Sequence, residues 1–342
     1  MADRSSGLTW EGALGGGEVV SDVLRAVRLR GAIFFEIEGQ GAWVAEAPPT
    51  AEFADAVMPG SSHVIEYHVL IEGACWAARI VGDELEPPVR MGPGSIIVFP
   101  QGDPHVISTG PCRRVEPVRD YYRQPVGGER LPYAIRVEGE EGAEPTKMIC
   151  GFLGCDARPF NPLLASLPPM IHVAGGATGW LGSLIQATLA ESRERRLGGD
   201  SVLTRLSELI FIEVIRRHAE GLSVDGRGWL AALNEPIVGR ALKILHAEPG
   251  RGWSLAELAR VVGASRTVLA ERFATAVGLP PMTYLQNWRM QLAEGLLAEG
   301  RTPMAEVAAR VGYESEEAFS RAFKRTRGVP PGARRRALTP SA

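Results

Sequence analysis

Hydrophobic and polar positions follow two different periods along this chain, and the change of period divides it. Up to about residue 170, apolar residues come in short runs, "GAIFFEIEG", "HVIEYHVLIEG", "CWAARIVG" and "GSIIVFP", separated by Gly/Pro turns at close spacing. That pattern predicts short strands in an antiparallel β-barrel or sandwich. From "TGWLGSLIQATLAESRERR" onward the period becomes helical. In "SVLTRLSELIFIEVIRRHAEG" the residues Leu206, Leu209, Ile210, Ile212, Val214 and Ile215 form a broad apolar stripe. A stripe of that width is buried against another layer or pairs two copies of the chain, and a homodimer contact is the favoured expectation. "GLSVDGRG", Gly221 to Gly228, reads as a linker.

The helical part contains a repeat. "AELARVVGASRTVLAERFATA", from Ala256, and "AEVAARVGYESEEAFSRAFKR", from Ala305, align with one extra residue, Glu314, in the second. Ala256, Glu257, Ala259, Val262, Gly263, Ser265, Phe273, Gly278, Pro280 and Pro281 match Ala305, Glu306, Ala308, Val311, Gly312, Ser315, Phe323, Gly328, Pro330 and Pro331. Each unit predicts a helix, a glycine turn and a second helix. Ser254 with Glu257 forms a capping box, and Ser265 and Ser315 cap the second helices. Val268, Leu269 and Phe273 are expected to face inward in the first unit, and Ala318, Phe319, Ala322 and Phe323 in the second. This is the helix-turn-helix design, whose second helix enters the major groove of DNA. "MTYLQNWRMQLAEGLL" between the units predicts a helix of about 16 residues, roughly 24 Å long.

Charge supports the division. Residues 236–342 hold 16 Lys+Arg against 9 Asp+Glu, a balance of +7, whereas the rest of the chain carries −10. An acidic portion is joined to a basic one suited to nucleic acid. Length (342 residues) and 45% apolar content allow two or three domains with their own cores. With no apolar run long enough for a membrane span and no signal-peptide pattern at the start, the expectation is a cytoplasmic protein with no membrane partner. Four cysteines are too few for a disulfide framework.

At the repeated units the chain resembles the DNA-binding domain of the AraC family of bacterial transcription regulators, over about 100 residues from "EPIVGRALKILHAEP" to "GYESEEAFSRAFKRTRGVPPGARRR". The resemblance implies two helix-turn-helix units bridged by a long helix and reading successive major-groove segments of double-stranded DNA. Carried over, the base-facing candidates are Arg266, Thr267, Ala270 and Glu271 in the first recognition helix and Glu316, Glu317, Ser320 and Arg321 in the second. Arg266 and Arg321 can fork onto guanine and a glutamate can accept from cytosine N4, although acids in a helix's first turn also simply complement its dipole. Arg325, Arg327 and Arg334 to Arg336 read as phosphate contacts or as a solvated tail.

In the first 170 residues, Gly94, Pro100, Gly102 and His105 of "GSIIVFPQGDPH" match the second cupin motif, with Thr109 where asparagine is common. The first motif is degraded: Glu66, His68 and Glu72 stand where H-x-H and a glutamate are expected. The segment is similar to the cupin-type sensor domain that precedes this DNA-binding domain in one branch of the AraC family. That resemblance implies a site at Glu66, His68, Glu72 and His105 for an effector or a transition metal, the alternative being ordinary wall histidines. Cys75, Cys112, Cys150 and Cys155 make a thiol metal site or redox switch if the fold gathers them, and otherwise act as small apolar residues.

The expected protein is thus α+β and multidomain. It has a cupin-like β-barrel sensor (1–170), a helical pair for dimerisation (171–220), a linker (221–235) and an all-α AraC-type DNA-binding domain (236–337). The expected function is a non-enzymatic, sequence-specific transcription regulator. It answers a small-molecule, metal or redox signal and contacts RNA polymerase if it activates. The alternative is a cupin metalloenzyme with an appended DNA-binding module, against which the missing H-x-H weighs.

Overall fold

The computed structural model describes residues 18–127, 129–157, 160–175, 179–194, 196–223 and 227–338. A first helix, α1 (Val19–Ala26), precedes β1 (Arg30–Gln40), β2 (Val44–Ala47), the short α2 (Ala54–Val57), β3 (His63–Glu72), β4 (Cys75–Val81), β5 (Glu84–Leu85) and β6 (Val89–Met91). Then follow β7 (Ile96–Phe99), β8 (His105–Ser108), β9 (Tyr133–Glu138), β10 (Thr146–Cys155), α3 (Pro162–Ser166) and β11 (Ile171–Val173). The strands form a six-stranded sheet, ordered β11-β7-β3-β10-β1-β9, and a five-stranded one ordered β2-β8-β4-β5 with β6 on β4.

The α+β class and the β-rich first half agree with the sequence. The barrel does not: no backbone ladder among the described residues closes the two sheets into one ring. They face each other as an open sandwich over a shared core that includes Phe34, Phe35, Leu70, Phe99 and Phe152 from one sheet and Cys75, Ala77, Met91 and Ile107 from the other. Nor is every pair antiparallel, since β9 runs parallel to β1.

Strand period decides which residues reach that core. On β3, Val64 and Leu70 face the sandwich interior, whereas Ile65, Tyr67 and Val69 face the back of the six-stranded sheet. Two helices cover the back, α4 (Gly179–Glu194) and α5 (Gly199–Glu220). Leu206, Ile210, Val214 and Ile215 are buried there, and Tyr67 reaches Ser207 through a 2.7 Å hydroxyl contact. The stripe expected to pair two copies is therefore largely used within the chain, because α5 lies on β1 and β10. Of the stripe, Leu209 alone is exposed.

The C-terminal part is helical: α6 (Trp229–Ala232), α7 (Pro236–Ala247), α8 (Leu255–Val261), α9 (Arg266–Val277), α10 (Pro281–Ala298), α11 (Met304–Arg310), α12 (Glu316–Arg327) and α13 (Pro331–Leu338). Within the stretch read as linker, residues 224–226 lie outside the described residues, and Trp229 to Ala232 form the fully buried turn α6 rather than open chain. The two repeated units are α8–α9 and α11–α12, bridged by the 18-residue α10. Ser254, Ser265 and Ser315 cap α8, α9 and α12 as the sequence indicates. Glu257, however, turns away from the expected capping box to pair with Arg251. Gly263 and Gly312 adopt φ of 73° and 78° in the turns, a conformation that side chains with a Cβ resist. Among the described residues, no helix is long and apolar enough to cross a membrane.

Candidate ligand site and nucleic-acid interface

Three strands build the polar end of a cavity between the sheets. Glu66 and His68 are two residues apart on β3 and so share a face; Cys150 pairs with His68 in the β3–β10 ladder; His105 opens β8 on the opposite sheet. Ligand atoms of Glu66, His68 and His105 lie within 4.8 Å of one another, and all three residues are buried.

The hydrogen bonds fix where the protons sit. His105 Nδ1 is 3.0 Å from the Asp103 carbonyl, which only accepts, so Nδ1 carries the proton and Nε2 is left as an acceptor. His68 Nε2, 2.7 Å away, is then the donor. His68 Nδ1 must accept in turn, and the Cys150 thiol donates to it at 2.7 Å. Glu66 Oε1 stands 3.7 Å from His68 Nε2, and Glu66 Oε2 is buried without a hydrogen-bond partner among the described residues.

Burial dominates the electrostatics. It pushes the Glu66 carboxyl up to about 8 and His105 down to about 4, the latter partly offset by the Asp103 carbonyl. Burial and then His105 hold His68 well below the usual imidazole range. At neutral pH the cluster is a protonated acid beside two neutral imidazoles. The cavity it ends is about 310 Å³, with Phe35, Trp43, Ile107, Tyr122 and Met148 among its walls. Glu46, also on the wall, is neutralised by Arg114, which forks onto it at 2.9 Å.

Not every candidate joins this site. Glu72 is exposed at the end of β3, four residues beyond His68 and so about 13 Å along the strand. Cys150 and Cys155 are five apart on β10, which puts them on opposite faces: Cys150 belongs to the sandwich interior and Cys155 to the back. All four cysteines are free; Cys75, Cys150 and Cys155 are buried and Cys112 is half-buried. Burial pushes the thiols of Cys75 and Cys155 up to about 12, that of Cys150 well above its ordinary range and that of Cys112 upward. They are held as thiols, the unreactive form. The Cys150–His68 contact spans 82 positions and comes only from strand register, which no local motif encodes.

On the helical side, Arg266, Thr267, Glu271, Glu316, Glu317 and Arg321 are exposed on α9 and α12, and Ala270 and Ser320 are half-buried beside them. Val268, expected to turn inward, is 37% exposed because Leu269 and Phe273 fill the core position. Glu317 is held below the usual carboxylate range, chiefly by its own backbone N–H and then by Ser315, which marks it as part of the helix start. The basic tail divides. Arg327 (3.1 Å) and Arg334 both grip the buried Glu294 of α10, and Arg335 donates to the Thr302 carbonyl at 2.6 Å. These three hold the second unit together, whereas Lys324, Arg325 and Arg336 are exposed.

Comparison with known proteins matches residues 18–220 to a cupin family and residues 258–337 to a helix-turn-helix domain family. Along nearly its whole length the chain is 31% identical, over 324 residues, to an AraC-like transcription regulator of Streptomyces antibioticus, with 92% of this chain and 96% of that protein covered. The chain belongs to the AraC-like transcription regulators. A second AraC-like regulator, from Streptomyces lividans, is 29% identical over 92% of this chain and 96% of its own length. The transcriptional regulator AlkR of Acinetobacter baylyi is 28% identical over 90% and 95%. As an AraC-like regulator the chain is a DNA-binding protein, with α9 and α12 as the second helices of its two units and a cupin-type domain in front of them.

Proposed function

We propose that this AraC-like regulator answers a small neutral molecule bound in the cavity between its sheets. One observation carries the reading: among the described residues the buried Glu66 Oε2 has no hydrogen-bond partner, at the polar end of an otherwise largely apolar space of about 310 Å³. A buried polar atom left unpaired costs about 1–3 kcal/mol, which a hydrogen-bonding ligand recovers. Protonated Glu66 can donate to or accept from such a group, and the aromatic walls take its apolar body. Burial raises all four thiols of this domain, which weighs against a redox signal. On DNA, Arg266, Thr267, Ala270, Glu271, Glu316, Glu317, Ser320 and Arg321 are proposed to face the bases, with Lys324, Arg325 and Arg336 on phosphates.

The test is thermal-shift titration of the full chain with small alcohols, ketones and phenols, followed by DNA titration with any binder. A binder should raise Tm and alter DNA affinity, and Glu66→Ala should weaken both effects. A response that survives Glu66→Ala unchanged places the signal elsewhere.

A transition metal ion is the second reading, favoured by the convergence of Glu66, His68 and His105. Two imidazoles on one tetrahedral ion at about 2.05 Å stand about 3.3 Å apart, so the 2.7 Å between the two Nε2 atoms must open by about 0.6 Å. The set fits with that adjustment. His68 must also reverse its tautomer and donate through Nδ1 to Cys150. Elemental analysis of purified protein, and loss of thermal stability on chelation, separate this reading from the first.

A further inference from the structure

The two helix-turn-helix units touch each other directly, at a pair of glycines. A Cβ on Gly250, in the turn between α7 and α8, would stand 2.9 Å from the Arg310 carbonyl, and one on Gly312, in the turn between α11 and α12, 2.5 Å from the Gly250 carbonyl. Backbone therefore lies on backbone across the boundary between the units. Gly263 holds the place of Gly312 in the first repeat and has nearly the same φ, yet a Cβ there would meet nothing within 4 Å. The left-handed turn accounts for glycine at both positions. Close approach to the other unit is the further demand made of Gly312.

Arg289 of α10 spans this junction. Its Nε donates to the Pro249 carbonyl and its Nη2 to the Arg251 carbonyl, both at 2.7 Å, so the guanidinium grips the turn on either side of Gly250. The same Nη2 would stand 2.7 Å from a Cβ on Gly312, and the guanidinium carbon is 6.0 Å from the ring centre of Tyr313. Tyr313 in turn meets Phe319 of α12 edge-on, with ring centres 5.8 Å apart. The gripped turn is itself stiff, since Trp253 donates to the Glu248 carbonyl at 3.1 Å and carries the Arg251 guanidinium 4.0 Å over its ring. A planar fork suits two fixed acceptors at once, which the point charge of a lysine does not. The neighbours of Arg289 on α10 divide between the units. Trp288 packs in the core that the first unit shares with α1 and the back of the six-stranded sheet, and Met290 in the smaller core of the second.

We propose that Arg289 is a positioning residue for DNA recognition: by latching the 249–251 turn to the turn that introduces α12, it fixes the separation and rotation of the two units, and so the number of base pairs tolerated between their DNA segments. The proposal rests on the reading above in which both α9 and α12 face bases. One base pair inserted between the segments moves the second by about 3.4 Å and turns it by roughly 34°. Latched units cannot follow that displacement, whereas unlatched units can absorb part of it.

The probe is a duplex recovered by site selection from random DNA with the full chain, its two segments assigned by the base preferences lost in Arg266→Ala and in Arg321→Ala. Affinities are measured on that duplex and on versions with one or two base pairs inserted or removed between the segments. The unaltered protein should lose about thirtyfold or more on a change of one base pair. In Arg289→Met that loss should shrink to about threefold, with Arg289→Lys, which keeps the charge but not the fork, in between. If Arg289→Met fails to fold, Gly250→Ala takes its place, because the added Cβ presses the two turns apart. Gly252→Ala, in the same turn with open space around its Cβ, should keep the unaltered spacing preference. A side chain needed only for folding would weaken binding alike at every spacing. Such a uniform loss in Arg289→Met, or in Gly250→Ala where it stands in, overturns the latch, and so does relaxed spacing in Gly252→Ala. A selected site with a single segment overturns the two-segment reading and the latch with it, an outcome distinct from two segments whose spacing Arg289 does not govern.

Discussion

The Cys150 thiol donates to His68 Nδ1 at 2.7 Å, at the far end of a chain of protons whose direction the Asp103 carbonyl sets. Cys150→Ala should therefore cost about 1–3 kcal/mol, by leaving a buried imidazole nitrogen unpaired. Cys150→Ser, which keeps a donor, should cost less. Urea denaturation of the two variants checks the order, and equal losses would reduce Cys150 to a space-filling residue.

Glu66 makes stability depend on pH with a definite sign. Its folded pKa of about 8 lies above the ordinary 4.5, so its contribution is intact below about 4.5 and is lost as pH rises towards 8. Glu66→Gln should flatten the fall in that window by up to about 1.4 kcal/mol per pH unit. His105, lowered from 6.5 to about 4, acts oppositely and removes stability as pH falls through that lower range. Chelator-treated protein denatured at several pH values checks both slopes.

Arg321→Ala should weaken DNA binding by about 1–3 kcal/mol and relax preference at one base position, whereas Arg336→Ala should weaken all sequences alike and reduce the salt slope by about one. Site selection and salt titrations distinguish the two. Identical base preferences in both variants would mean that α12 meets DNA with another face.

Glu294 is 2% exposed between Arg327 and Arg334. Glu294→Ala leaves two guanidiniums without their carboxylate and should cost about 3–5 kcal/mol. The loss should concentrate in the second unit, with early hydrogen exchange in α12 and α13. Uniform destabilisation of the whole chain would mean that the two cores are coupled more tightly than their separation implies.

Much of this organisation is legible in the sequence, and the failures share a cause. The repeat places Ser265, Gly278, Ser315 and Gly328 at helix ends because capping and left-handed turns are local properties. His68 and His105 are legible as a pair through a motif, and strand parity alone puts Glu66 beside them. What escapes depends on long-range placement. The stripe on α5 has the same pattern whether a sheet or a second chain covers it. Arg334 and Arg335 look like phosphate ligands until α13 folds back onto α10, and Gln291 carries no local sign that its partners are Ala26 and Phe160. Closure of a barrel likewise depends on which strand edges meet, and alternation along single strands does not record that.

The continuous core beneath α10 changes where this chain can be divided. A graft that exchanged DNA-binding domains at Gly228 would cut through packing, since Trp229, Leu230 and Tyr284 share one apolar interior with α1 and the back of the sheet. The donor domain would arrive with an apolar face shaped for a different sensor. The junction between α10 and α11 is no seam either, since Met290, Ala293 and Leu297 of α10 share the smaller core with Val307, Phe319 and Phe323. Interchange of reading heads between relatives should therefore succeed only when both units move together with α10 and the sensor face that packs against them.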